Sequence, residues 1–104
     1  MITDHFRTVT FDYNLAVQYD LNIAIVYAWI VEAIQLNIKR NDPIFYREEK
    51  WWVCVSVQTL HHYLPFLTWV QIRRAVRVLV QQGILVRGRF TKQNWDNTAW
   101  YSLP

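Results

Sequence analysis

The chain has 104 residues, of which 53% are hydrophobic and 16% aromatic, with two glycines, three prolines and one cysteine. This length suits one compact domain, and the composition excludes both a disordered chain and a scaffold held together by intrachain disulfides. Residues 1–50 carry five basic and seven acidic side chains, whereas residues 51–104 carry six basic and one acidic. The basic charge therefore belongs to the C-terminal half, which indicates a polyanionic partner for one face.

Residues 1–19 are interpreted as an N-terminal extension. The first ten residues include Asp4, His5 and Arg7 and lack the apolar core of a signal peptide. A lone cysteine is also typical of a reducing compartment. We therefore expect a cytoplasmic protein.

The pattern of residues 20–40 predicts a long apolar helix with Asp20 as its N-cap. Glu32, Gln35 and Lys39 form one narrow polar stripe, and apolar side chains cover the remainder. Such a helix must be largely buried, either within this domain or partly against a second copy, so a homodimer formed through it is one expectation. Its acidic and amide side chains argue against a membrane span.

The segment 44–55 predicts a short β-hairpin. Pro43 ends the preceding helix, and the β-prone runs 44–46 and 51–53 flank the charged residues 47–50.

Residues 56–82 predict a helix-turn-helix. Ser56 is a suitable N-cap for the first helix, and Thr68 with Gln71 forms a capping box at the start of the second, which Gly83 would end. At 100° per residue, the second helix directs one apolar set inward: Ile72, Ala75, Val76 and Leu79, with Trp69 and Val80 at its margin. Its opposite side would carry Val70, Arg73, Arg74, Arg77, Val78 and Gln81.

Residues 84–103 predict a β-hairpin, with strands at 84–90 and 98–103 and a polar turn at 91–97. A helix-turn-helix followed by a hairpin is the winged-helix arrangement. We therefore expect one α+β domain spanning 1–104, a winged helix-turn-helix that is mainly helical and has a C-terminal β-hairpin wing.

The basic residues of this unit favour DNA binding, because arginine suits both phosphate and the two acceptors of a guanine edge. The candidate DNA-binding residues are Thr68, Gln71, Arg73, Arg74, Arg77, Arg87, Arg89 and Lys92. The alternative is a protein-interaction module, an adaptor or inhibitor, that uses Trp69, Val70 and Val78, since exposed valines are more typical of a protein contact.

Other chemistries have weaker support. His61, His62 and Cys54 lack a fourth ligand at a sensible spacing, so a pair of histidines on a helix surface is favoured over a metal site. The sequence shows neither a phosphate-binding glycine loop nor a catalytic constellation, so we expect no cofactor and no enzymatic activity. The six tryptophans could stack unpaired bases, but their positions favour core or interface roles.

Several motifs resemble those of a known family. They are the run 64–68 (LPFLT), the run 72–75 (IRRA), the run 83–85 (GIL) and the ending 94–103 (NWDNTAWYSL). Over roughly residues 24–103 the chain is similar to the N-terminal winged-helix domain of phage and mobile-element replisome organisers and DnaD-like replication initiation proteins.

The resemblance implies a DNA-binding winged helix that acts at a replication origin, with other replication proteins as partners. Thr68, Gln71, Arg73, Arg74 and Arg77 match the recognition-helix region of that family, and residues 87–92 match its wing. Members of the family often carry a basic or small polar residue after the cap, where this chain has Trp69 and Val70.

Overall fold

The computed structural model describes residues 8–90 and 98–104. Within these ranges the chain forms four α-helices and five short strands. The helices are α1 (Tyr13–Gln18), α2 (Leu21–Arg40), α3 (Val57–Tyr63) and α4 (Trp69–Gln81), and the strands are β1 (Tyr46–Arg47), β2 (Lys50–Trp51), β3 (Val53–Cys54), β4 (Val86–Gly88) and β5 (Trp100–Ser102). The fold class is α+β and mainly helical, as the sequence predicts.

The N-terminal extension contains a helix that the sequence analysis did not identify. Helix α1 begins after Asp12, whose Oδ1 accepts a hydrogen bond of 2.9 Å from the Leu15 backbone N–H. None of its residues is buried, although it packs against α2. With six residues and only the partly buried Leu15 packed against the core, α1 depends on α2 for its stability.

Helix α2 is the central element of the domain. It begins after the predicted cap Asp20 and ends at Asn41, whose φ of 52° gives the left-handed conformation common after a helix. The stripe of Glu32, Gln35 and Lys39 is exposed, as predicted. By length and composition alone α2 could also cross a membrane, but core helices of globular domains meet the same criterion, and α2 packs extensively against α4.

The predicted hairpin is present but shorter than expected. Strands β1 and β2 pair through Tyr46 with Trp51 and Arg47 with Lys50, and a two-residue turn joins them. Residues 43–45 form a 3₁₀ turn instead of the start of a strand, because Pro43 occupies its first position and the Asp42 carboxylate caps it. The chain then leaves this hairpin at Trp52.

Strand β3, which was expected to belong to the first hairpin, instead joins the C-terminal sheet. This sheet is antiparallel with the order β3–β5–β4, and Tyr101 of β5 lies between Val53 of β3 and Arg87 of β4. Helices α3 and α4 connect β3 to β4. A helix, a strand, a helix-turn-helix and a two-stranded wing, in this order, form a winged helix-turn-helix, which confirms the predicted fold class.

The main core lies between α2, α4 and one face of the wing sheet. Its largest fully buried side chains are Ile23, Val26, Ile30, Leu60, Ile72, Leu79 and Leu85. Each contributes about 1.5–3 kcal/mol by leaving water. The core therefore fixes how α4 is presented to solvent.

Aromatic side chains pack around the wing sheet as well. The Phe90 ring contacts the rings of Trp52 and Trp100, with centroids 4.8 and 5.3 Å apart, and the Phe45 ring lies 5.8 Å from that of Trp100. Gly88 lies beneath this cluster, where a Cβ atom would come within 3.0 Å of the Trp52 ring. Trp52 and Trp100 are thus core residues, in line with the interpretation that most tryptophans are structural.

Candidate nucleic-acid interface

The start of α4 is fixed by the predicted capping box. The Gln71 backbone N–H donates to Thr68 Oγ1 at 3.1 Å, and the Thr68 backbone N–H donates to Gln71 Oε1 at 2.8 Å. Thr68 and Gln71 were both predicted as DNA-binding residues. The capping role uses the acceptor oxygens of the two side chains and leaves the Gln71 amide nitrogen as a donor toward a ligand.

The two sides of α4 are divided largely as predicted. Ile72, Ala75, Val76 and Leu79 are buried, whereas Arg73, Arg74 and Arg77 are exposed. Val78 is the exception. It was expected on the exposed side, but it is half-buried and packs against the core, because it lies at the border between the two faces. Val78 therefore offers less surface to a partner than the exposed Val70 does.

Arg73 lies against an aromatic ring. Its guanidinium carbon is 5.7 Å from the centroid of the Trp69 ring, which also contacts the ring of His61 at 5.6 Å. A cation over an aromatic face is attracted by the ring and remains available to an anion on its other side. The Trp69 ring, which lies one helical turn before Arg73 on α4, thus supports the Arg73 guanidinium.

Arg74 lies on the exposed side of α4, as predicted, but its guanidinium is paired with a carboxylate of the same chain. Arg74 Nη1 donates a hydrogen bond of 2.7 Å to Asp20 Oδ2. The two side chains form an ion pair within the described part of the chain. The sequence offered no signal for this contact, because the partner is 54 residues away at the N-terminus of α2. The charge of Arg74 is balanced within the chain.

The Asp20 carboxylate has two hydrogen-bond donors, the Ile23 backbone N–H and the Arg74 side chain, and they affect its pKa. Burial acts to raise the pKa of its carboxyl, but the hydrogen bond from the Ile23 backbone N–H and the contact with Arg74 outweigh that effect, so the pKa is lowered from its ordinary value of 3.8. The carboxylate therefore stays charged wherever the protein is folded near neutral pH. Asp20 therefore offers Arg74 a charged partner in the free protein at neutral pH.

Arg77 lies one turn after Arg73 on α4 and is exposed. Within residues 8–90 and 98–104 it makes no hydrogen bond or ion pair. Together, Arg73 and Arg77 supply the cations of α4 that no carboxylate of the described chain neutralises.

The wing adds two exposed arginines. Arg87 lies on β4 opposite Tyr101, and Arg89 follows just after the strand. Burial raises the pKa of the Tyr101 phenol, and the positive charges of Arg87 and Arg89 act against this effect, which places both near its ring. Lys92 and the polar turn 91–97 lie outside the described residues.

Two other basic residues serve the fold. The Arg47 guanidinium lies 5.4 Å from the Trp100 ring and 5.7 Å from the Phe90 ring, and Lys50 Nζ donates to the Leu103 carbonyl at 3.2 Å. Both side chains tie the β1–β2 hairpin to the wing sheet. Neither residue was a candidate for DNA binding, and both contacts have a structural role.

The remaining candidates do not form a chemical site. His61 and His62 contact aromatic rings, and the described residues contain no cluster of three or more side chains able to hold a metal ion. An open groove of about 620 Å³ lies between residues 10–12 and α2. Asp12 and Glu32 line it, so it would repel a polyanion.

Comparison with solved structures finds the same architecture elsewhere. One is described as the N-terminal domain of a DNA-binding protein, with a TM-score of 0.66 and 15% identity, and the match covers 99% of this chain and 78% of that one. A second is a Rep–DNA complex, with a TM-score of 0.64, 14% identity and the same coverage of both chains. At these identities the likeness shows the fold.

No model of a known protein family and no curated protein matches the sequence. The order of the elements and the sheet topology place the fold among the winged helix-turn-helix domains.

Proposed function

We propose that this chain binds duplex DNA by placing α4 in the major groove and the wing against the neighbouring backbone. One observation carries the proposal: the exposed side of α4 presents Arg73 and Arg77 without a carboxylate partner, and the same domain exposes Arg87 and Arg89 on its wing. A helix of 13 residues is about 20 Å long and enters a major groove that is roughly 12 Å wide.

The exposed arginines would have different roles. Arg77, Arg87 and Arg89 suit phosphate contacts, which give affinity and dependence on salt. Arg73, Arg74 and the Gln71 amide nitrogen lie in the first two turns of α4, where side chains of a recognition helix contact base edges. The predicted contribution of Lys92 would extend the phosphate contacts of the wing.

The titles of the two structural neighbours, a DNA-binding protein and a Rep–DNA complex, support this role. The motif resemblance supports a more specific one. We propose that the chain acts in the cytoplasm in replication initiation, or in its regulation, for a phage or another mobile genetic element. It would act there as a non-enzymatic, DnaD-like winged-helix domain.

Fluorescence anisotropy with a labelled duplex, titrated at several salt concentrations, tests the DNA-binding proposal. The informative variant is Arg73→Gln/Arg77→Gln, which removes two charges from α4 and keeps good helix formers. The matched control is Lys39→Gln/Arg40→Gln, which removes two exposed charges from the last turn of α2.

We expect the α4 variant to lose at least about 10-fold in affinity at moderate salt and to reduce the slope of log K against log salt by about 1, because only Arg77 of the two is assigned to phosphate. The control should lose much less. The proposal fails if the wild type does not bind duplex at about 50 mM salt, or if both variants weaken binding equally.

A second candidate function rests on the apolar surface around the start of α4. Phe66, Trp69 and Val70 are 57%, 40% and 71% exposed. Three large apolar side chains so close in sequence are typical of a protein contact. In this alternative the domain is an adaptor or inhibitor that does not act through DNA.

The variant Val70→Asp separates the two functions. It adds a negative charge to an exposed position and leaves the core untouched. A purified partner that binds the wild type after nuclease treatment, and binds Val70→Asp far more weakly, would favour the protein-interaction function. Replacement of Arg73 and Arg77 should then have little effect on that complex.

Dimerisation through α2 is also part of the proposal. Leu36 and Ile38 are 44% and 45% exposed near the end of this helix, about 200° apart around its axis, so each offers an apolar contact on a different side to a second copy. Sedimentation equilibrium would show a dimer for the wild type and a monomer for Leu36→Lys/Ile38→Lys. A monomeric wild type at high concentration would exclude this contact.

A further inference from the structure

Asp20 joins the N-terminus of α2 to the exposed side of α4 through a single carboxylate. Its Oδ1 accepts a hydrogen bond of 2.8 Å from the Ile23 backbone N–H, and its Oδ2 accepts one of 2.7 Å from Arg74 Nη1. The first contact fixes the rotamer of Asp20, because rotation would uncap α2. The second then fixes the position of the Arg74 guanidinium.

This ion pair adds little to stability. The side chains of Arg74 and Asp20 are 52% and 36% exposed, and pairs in water gain little because solvent and salt screen them. Its main consequence is geometric. The pair biases a long, rotamer-rich side chain on the proposed recognition helix toward one orientation before any ligand arrives.

From this geometry we infer that Asp20 is a specificity-determining residue that positions Arg74 to read a base edge. The inference rests on the proposed binding of duplex DNA. Among the described residues only Nη1 of Arg74 has a partner, so the other edge of the planar fork can donate to both acceptors of a guanine, O6 and N7. A positioned fork loses less conformational entropy when it binds than a free one.

The carboxylate also acts against unspecific binding. A fixed negative charge beside α4 repels phosphate, and it neutralises a cation that would otherwise attract any DNA sequence equally. Asp20 thus lowers affinity for random DNA and favours the sequence that Arg74 can read. Specificity improves when a device both supports the correct partner and disfavours the others.

The variant Asp20→Asn tests the inference, because asparagine is an equally good N-cap and carries no charge. The matched control is Asp12→Asn, the same change at the N-cap of α1, where the carboxylate caps Leu15 and has no ion pair with a described arginine. A random duplex pool is first enriched on the wild-type protein. Dissociation constants are then measured for the enriched duplex and for a scrambled duplex of equal composition.

For Asp20→Asn we expect discrimination between the two duplexes to fall by about 5- to 10-fold, and the scrambled duplex to bind about 2-fold more tightly. Asp12→Asn should change neither value. In an Arg74→Gln background, Asp20→Asn should have no further effect on discrimination, because the residue that it positions is gone. Asp20→Ser, another good N-cap, provides the same test if Asp20→Asn does not fold.

The inference is overturned if Asp20→Asn binds both duplexes more tightly by the same factor, since the carboxylate would then be only a competitor for phosphate. It is also overturned if the wild type binds duplex but enriches no sequence. A wild type that binds no duplex at all would instead refute the proposed function.

Discussion

The turn of the β1–β2 hairpin offers a sharp test of how backbone conformation limits stability here. Glu48 and Glu49 both have positive φ, 52° and 63°, in a two-residue turn between Arg47 and Lys50. Positive φ at both central residues is the signature of a type I′ turn, which strongly favours Asn-Gly. Two glutamates therefore occupy positions that side chains with a Cβ rarely adopt.

The expected gain in folding stability follows from the positive φ angles of Glu48 and Glu49. A non-glycine residue in the left-handed region costs about 1–2 kcal/mol, and asparagine tolerates this region better than glutamate does. Glycine at the second position removes the strain but adds about 0.5–1 kcal/mol of unfolded-state entropy. We expect Glu48→Asn/Glu49→Gly to stabilise the fold by about 1 kcal/mol, which corresponds to a rise in Tm of about 4–8 °C for a domain of this size.

Urea unfolding followed by circular dichroism measures the change. The control Glu48→Gln/Glu49→Gln removes the same charges without making positive φ easier to adopt. If that control stabilises the fold as much as the Asn-Gly variant, repulsion between the two carboxylates, and not backbone strain, is the cause. If neither variant is more stable than the wild type, the positive φ angles of Glu48 and Glu49 do not limit the stability of the fold.

Three further predictions concern the core and the Asp20 contact. Leu79→Ala should destabilise the fold by about 3 kcal/mol, because Leu79 is fully buried, and a smaller loss in urea unfolding would mean that the neighbouring side chains close the cavity. Asn37→Ala should cost about 1–3 kcal/mol in the same assay, because it leaves the buried Trp52 carbonyl without the 2.9 Å bond from Asn37 Nδ2. The lowered pKa of Asp20 means that its contribution is present above about pH 4 and is lost as the pH falls through the folded-state pKa. The stability gap between wild type and Asp20→Asn should therefore shrink below about pH 4, and a gap that stays constant down to pH 3 would show that the charge of Asp20 does not stabilise the fold.

The local features of the chain could be predicted from the sequence because each depends on neighbouring residues. The caps at Asp20, Ser56 and Thr68 lie where the structure has them, since an N-cap needs only a side-chain oxygen two or three residues before a free backbone N–H. The buried side of α4 was equally predictable, because helical periodicity fixes which side chains share a face. These features sufficed to predict the winged helix-turn-helix.

Features that depend on contacts distant in sequence could not be predicted. Nothing near Val53 indicates that it pairs with Tyr101 instead of extending the first hairpin, and nothing near Arg74 indicates the carboxylate of Asp20. Likewise, nothing near Arg47 in the sequence indicates that its guanidinium packs over the Trp100 ring. The sequence thus determined α2, α3 and α4, their caps and the inward face of α4, through interactions that span only a few residues. Tertiary packing alone decided which cations stay free to bind, because an ion pair or a ring contact depends on how the elements meet in space.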